Sequence, residues 1–251
     1  MAFIPNILLL FTHGSYHVPW ELRPYLTDSF RKNNLRLLKN FSDFGTSYLI
    51  PADFPEEQRV VCWFSRAIGD PNRSSDHGHL FRSEDFNGNR IWKKRLGEGV
   101  KRYLWRRYYA AYHDIVLRRI REMERKHRTV IILDIHDTGN LLLGPDYDSD
   151  RERDKRIPMI NLGNLDDTAS SKSFMGRLAD TFGKEFGERP WLNTPFKGGY
   201  VTYRYGPRYP NREMVQVELR RDLYVDEKRQ ELDETRVEDV RRKLGNIIRS
   251  I

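Results

Sequence analysis

The sequence predicts an α/β protein built on a parallel or mixed sheet, and three observations predict it. Short apolar runs rich in β-branched residues and leucine recur at Asn6–Phe11, Val60–Ser65, Thr129–Ile135, Met159–Leu162 and Met214–Leu219. Such runs suit strands buried on both faces. Between them lie segments whose apolar residues recur at helical spacing, of which Ile91–Lys126 is the longest. Finally, chemically active groups cluster where two of the runs end: His13 follows the first, and Asp134-Ile135-His136-Asp137 closes the third. Open α/β sheets bind ligands just outside the carboxyl ends of their strands, so these imidazoles are expected in a crevice.

Composition narrows the reading. With 251 residues, 38% of them hydrophobic and 12% aromatic, the chain can bury a sizeable core, and residues 1–251 are expected to form one domain. No run reaches the roughly eighteen apolar residues of a membrane span, and Ile7–Phe11 lacks a basic segment before it and a small-residue cleavage site after it. A cytoplasmic protein without a membrane partner is expected. The single cysteine, Cys62, excludes an internal disulfide and a cysteine-based zinc cluster. A metal would therefore need histidine and carboxylate ligands.

The net charge of +8 raises the question of nucleic acid, but acids interleave with most of the basic residues, as in Arg118–Lys126. The densest basic stretch, Lys93–Arg107, carries aromatic residues at a spacing that fits a buried stripe better than a base-stacking platform. No nucleic-acid partner is expected.

In chain order, Asn6–Phe11 reads as the first strand and delivers His13; His17 lies further into the loop and reads as a weaker ligand candidate. Asp28–Lys39 fits either a short helix or a turn-rich connection. Asp43 sits between Phe41 and Phe44 before an apolar run. It suits a helix cap or turn, or the oxygen ligand that a two-histidine metal site lacks. Val60–Ser65 reads as a strand leading to Asp70-Pro71-Asn72-Arg73, where Arg73 beside Asn72 could grip a carboxylate through two parallel hydrogen bonds. His77 and His79 fall in a Gly/Ser-rich loop and are not expected to bind metal.

The Ile91–Lys126 segment predicts one or two helices packed on the sheet, and the strand ending at His136 follows it. Asp146–Arg156, almost entirely charged, is expected as an exposed loop beside the site. Phe174, Leu178, Phe182 and Phe186 mark a helix with one apolar edge. Asn193–Gly206, with Gly198-Gly199, reads as a loop able to approach a ligand closely. Glu218 interrupts an apolar strand, which is costly unless the carboxylate is used or paired with Arg220 or Arg221. Thr235–Glu238 matches a capping box for a C-terminal amphipathic helix.

Taken together, His13, Asp70-Pro-Asn-Arg73, Asp134-Ile-His136, Phe196-Lys-Gly-Gly-Tyr200 and Gln216-Val-Glu-Leu-Arg220-Arg-Asp-Leu-Tyr224-Val-Asp-Glu227 resemble the ordered motifs of the N-formylglutamate amidohydrolase family. That family in turn resembles the zinc carboxypeptidases. The resemblance implies a single-domain phosphorylase/hydrolase-like α/β fold, a mixed sheet flanked by helices, and a zinc or other divalent ion bound by His13, His136 and an acid. Carboxypeptidases take a glutamate three positions after the first histidine; Tyr16 stands there, and the role is transferred to Asp43. Asp137-Thr138-Gly139 replaces the family's usual Ser-Met-Pro, and Tyr203-Arg204 its Arg-His.

The activity so implied is metal-assisted hydrolysis of the C–N bond of a small acylated amino acid or short peptide. Glu218 would be the base, Asn72 and Arg73 would hold the substrate carboxylate, and Arg204 would share that work or steady the oxyanion. A metallo-carboxypeptidase or peptidoglycan-type amidase, and a non-catalytic binding protein of the same fold, are the alternatives.

Overall fold

The computed structural model describes residues 3–32, 36–139, 157–207, 209–227 and 229–251. Six strands, β1 (Ile7–Phe11), β2 (Arg59–Val61), β3 (Val130–Thr138), β4 (Ile160–Gly163), β5 (Trp191–Leu192) and β6 (Arg212–Arg220), form one sheet in the order β2-β1-β3-β6-β4-β5. Neighbours run parallel except β4 and β6, which are antiparallel, so the sheet is mixed as the sequence predicts. A separate ribbon pairs β7 (Val225–Asp226) with β8 (Glu231–Leu232).

Strand alternation divides the core in two. Ile7, Leu9 and Phe11 of β1, with Ile131, Leu133 and Ile135 of β3, pack toward the helices α5 (Lys172–Phe186) and α7 (Glu234–Ser250). Leu8, Leu10, Val130 and Ile132 pack on the other face. There they meet α1 (Asp28–Lys32), α2 (Arg36–Phe41), α3 (Glu98–Leu104) and α4 (Ala111–Glu124). The central strands are buried along their length. That burial explains their unbroken apolar runs: each leucine or isoleucine taken out of water contributes about 1.5–3 kcal/mol before ordering costs.

Several elements differ from the sequence reading. β2 stops at Val61 instead of continuing to Ser65; beyond it the chain bends so that Ser65 N–H donates to the His17 carbonyl at 2.7 Å. The Ile91–Lys126 helix begins only at Glu98 and carries a π-helical segment at Trp105–Ala110. Its aromatic stripe is split: Tyr108, Tyr109 and Tyr112 are buried, whereas Tyr103 and Trp105 are exposed. The end of the expected Asn193–Gly206 loop coils into α6 (Tyr200–Tyr205). The C-terminal helix starts earlier than the Thr235–Glu238 pattern suggests, because Asp233 is the cap and its side chain accepts the Arg236 N–H. Of Asp28–Lys39, α1 and α2 take the described parts, while Leu35 and the charged Asp146–Arg156 segment lie outside the described residues. No helix among the described residues is long and apolar enough to cross a membrane.

Candidate metal centre and active site

Strand register performs the first step of assembly. Asp134, His136 and Thr138 share one face of β3, and the parallel pairing with β6 sets Asp134 against Gln216 and His136 against Glu218. β3 runs two residues past His136, so this histidine sits within the ladder and not in a loop. His13 comes from the tight turn after β1, where Gly14 N–H donates to the Phe11 carbonyl at 3.1 Å. Asp43 comes from the turn after α2. Its backbone N–H donates to the His13 carbonyl at 3.1 Å, tying the two loops together.

Three donor atoms converge. Asp43 Oδ2 is 2.7 Å from His136 Nδ1 and 3.5 Å from His13 Nδ1. Among the described residues, His13, Asp43 and His136 form a buried group whose ligand atoms lie within 4.8 Å of one another. The far nitrogen of each ring is held by a carboxylate: His13 Nε2 is 2.8 Å from Asp70 Oδ1, and His136 Nε2 is 2.9 Å from Asp134 Oδ2. This backing fixes the ring orientation and leaves Nδ1 facing inward, the arrangement that metal-binding histidines require.

The electrostatics favour a cation at the same point. Burial works to raise the Asp43 carboxyl, yet His13 and His136 hold it well below the usual carboxylate range. Burial opposes protonation of His136, but Asp134 and then Asp43 push it well above the ordinary imidazole value. Asp43 Oδ2 and His136 Nδ1, 2.7 Å apart, thus favour a proton between them, which a metal ion bound by both atoms would displace. A donor set of two nitrogens and one carboxylate oxygen fits zinc with a coordination position left over.

Glu218 is buried beside this group. Its Oε2 accepts the Thr138 hydroxyl at 2.9 Å and its Oε1 the Gln216 amide at 2.6 Å. Burial raises its carboxyl to about 7, with His136 acting against the rise. Pairing with Arg220 or Arg221 does not occur: Arg220 bonds to Asp222, and Arg221 grips Asp137.

All of this faces a cavity of about 730 Å³, lined also by Asn72, Arg73 and the Pro195–Gly199 loop. The described residues supply no acidic partner for Arg73, which donates to the Asn72 carbonyl at 2.9 Å. The Asn72 side-chain oxygen accepts Val201 N–H at 2.9 Å. A side chain at Gly199 would collide with the Asn72 amide, so the second glycine of the pair permits this contact.

Of the residues picked out in the sequence, His13, Asp43, Asn72, Arg73, His136 and Glu218 line one cavity. Arg204 lies apart from them, on α6 beside a different depression, and donates to the Tyr200 hydroxyl at 2.7 Å. The helical turn of residues 200–205, unforeseen in the sequence, carries it away. His17, His77 and His79 also lie outside the cavity. Sequence reasoning missed Asp70 and Asp134 as backing groups and Thr138 and Gln216 as partners of Glu218. Two-residue spacing on a strand, in Asp134-x-His136 and Gln216-x-Glu218, was the available signal; for Asp70 none existed.

A model of the N-formylglutamate amidohydrolase family matches residues 6–225. No curated protein matches the chain. Among solved structures, the crystal structure of N-formylglutamate amidohydrolase from Ralstonia eutropha JMP134 is similar with a TM-score of 0.79 and 19% identity, covering 97% of this chain and 91% of that one. A gene product from Agrobacterium tumefaciens is similar with a TM-score of 0.62 and 20% identity, over 97% of this chain and 90% of that one.

Proposed function

The chain belongs to the N-formylglutamate amidohydrolase family, and is a hydrolase; from that premise we propose that it cleaves the C–N amide bond of a small carboxylate-bearing N-acyl amino acid, with zinc or another divalent ion held by His13, Asp43 and His136. The observation that carries this reading is the convergence of the three ligand atoms and the Glu218 carboxylate on one cavity.

Each group has a task that its surroundings suit. A divalent ion in this donor set supplies Lewis acidity, polarising a carbonyl and making water more acidic. Glu218, with a carboxyl raised to about 7, accepts the proton of the attacking water and passes it to the departing amine nitrogen. Thr138 and Gln216 hold the two oxygens of Glu218 in place, which limits the rotamers open to the base. Arg73 offers its guanidinium to the substrate carboxylate, and Asn72 holds the loop around it. The carboxylate anchor keeps the scissile carbonyl from drifting during attack.

Metal analysis of the purified protein, combined with turnover of a panel of N-formyl, N-acetyl and N-acyl amino acids, their neutral amides and short peptides, tests the proposal. Stoichiometric divalent metal with preference for acylated amino acids is expected. Turnover confined to peptides would move the reading to a carboxypeptidase. Metal-free protein inert on every substrate would leave a binding protein.

A further inference from the structure

The two imidazoles of the proposed centre are backed in different ways. Behind His13, Asp70 uses its second oxygen to receive Nε and Nη2 of Arg66 at 3.2 and 2.5 Å, so a buried cation already matches that carboxylate. Behind His136, Asp134 Oδ1 accepts the Thr12 hydroxyl at 2.6 Å, and Thr12 Oγ1 lies 2.9 Å from the Tyr112 hydroxyl. Asp134, Thr12 and Tyr112 are all fully buried, and Tyr112 belongs to α4. Proton counting orients the chain: Thr12 gives its one hydroxyl proton to Asp134, and Tyr112 therefore donates to Thr12. The result is a directed series of hydrogen bonds from a helix outside the cavity to Nε2 of His136.

We propose that Thr12 and Tyr112 are positioning residues for metal binding: acting through Asp134, they hold the His136 ring with Nδ1 presented as a ligand. The inference rests on the metal reading above. Among the described residues, Asp134 accepts one neutral hydroxyl, that of Thr12, besides its contact with the imidazole. Its charge therefore stays available to His136 and raises the electron density at the coordinating nitrogen. Hydroxyl donors still order the carboxylate, and linked hydrogen bonds polarise one another. Neither residue lines the cavity, so neither is in reach of substrate.

The test is a Co²⁺ titration of metal-depleted wild type, Thr12→Val and Tyr112→Phe, followed by visible absorption, with the melting temperature of each metal-free protein recorded in parallel. Thr12→Val, which keeps the volume and removes the hydroxyl, is expected to weaken Co²⁺ binding by about tenfold or more, within the range found when a group behind a ligand is lost. It should also alter the absorption envelope. Tyr112→Phe removes only the outer link and should weaken binding in the same direction by a smaller factor. A purely structural role would lower the melting temperature and leave affinity and spectrum unchanged in the folded protein; that result overturns the inference. Should Thr12→Val fail to fold, Tyr112→Phe decides by the same criteria. Wild type that takes up no Co²⁺ overturns the metal reading and the inference with it, whereas binding unaffected in both variants overturns the inference alone.

Discussion

His136 and Glu218 stand opposite each other in the register of β3 and β6. The imidazole ligand and the base of the proposed mechanism are thus spaced by a backbone ladder and not by loops. Loops bring the other groups to this fixed pair, His13 from the turn after β1 and Asp43 from the turn after α2. An arrangement built on adjacent strands holds geometry more closely than one built on loops alone.

Glu218→Gln separates metal binding from proton transfer. The amide keeps the shape of the side chain but cannot accept a proton from water at neutral pH. Metal content should stay at the wild-type level while kcat falls by about 10²–10⁴-fold. Steady-state kinetics beside elemental analysis provides the check, and near-normal turnover would remove Glu218 from the role of base.

The pH dependence has a definite sign. Glu218 works as a base only when ionised, and burial raises its carboxyl to about 7. Activity should therefore rise with pH and be lost as pH falls through that value. A divalent cation beside the carboxylate favours ionisation and would bring the midpoint below it. A kcat/KM profile that is flat down to pH values typical of an exposed glutamate, about 4.3, would contradict the assignment.

How much of this was legible in the sequence depends on the range of each interaction. Unbroken apolar runs announced β1 and β3 because both strands are covered by helices on each face. His13 and His136 were visible because each follows or ends such a run. Glu218 was visible because a carboxylate in an apolar strand demands an explanation. The role of Asp70 behind His13 was not legible because their contact spans 57 residues and depends on how the segment after β2 bends. The position of Arg204 was not legible for a related reason: whether Tyr200–Tyr205 coils into α6 depends on packing of Val201 and Tyr205 against the core, which local composition does not reveal.

Arg73→Ala tests the carboxylate anchor. The described residues supply no acidic partner for this guanidinium, so its removal costs little folding energy and acts mainly on substrate. kcat/KM should drop by about tenfold to a hundredfold for carboxylate-bearing substrates, the worth of one charge-assisted hydrogen bond of about 1.5–3 kcal/mol. The matching neutral amides should be hardly affected. Equal losses on both substrate types would refute the anchoring role, and Arg204→Ala, outside the cavity, provides the control expected to stay close to wild type.

Arg221 and Asp137 make the strongest stability prediction. Arg221 is 4% exposed; its Nε lies 3.0 Å from both oxygens of Asp137, and its Nη2 donates to the Ser42 carbonyl at 2.6 Å. Arg221 Nη2 also donates to Asp137 Oδ1, and Tyr224 adds a third donor to Asp137 through its hydroxyl. The guanidinium therefore links the end of β6 to the strand bearing His136 and to the turn bearing Asp43. Arg221→Met leaves a buried carboxylate without its partner, which typically costs about 3–5 kcal/mol. Adding Asp137→Asn removes the stranded charge and should restore part of that loss, because much of it is the desolvation of an unmatched ion and not the value of the pair itself. Urea unfolding of the metal-free proteins measures both effects. A single-variant cost of about 1 kcal/mol or less, as for an exposed pair, would mean that water reaches this ion pair and that it does not brace the site.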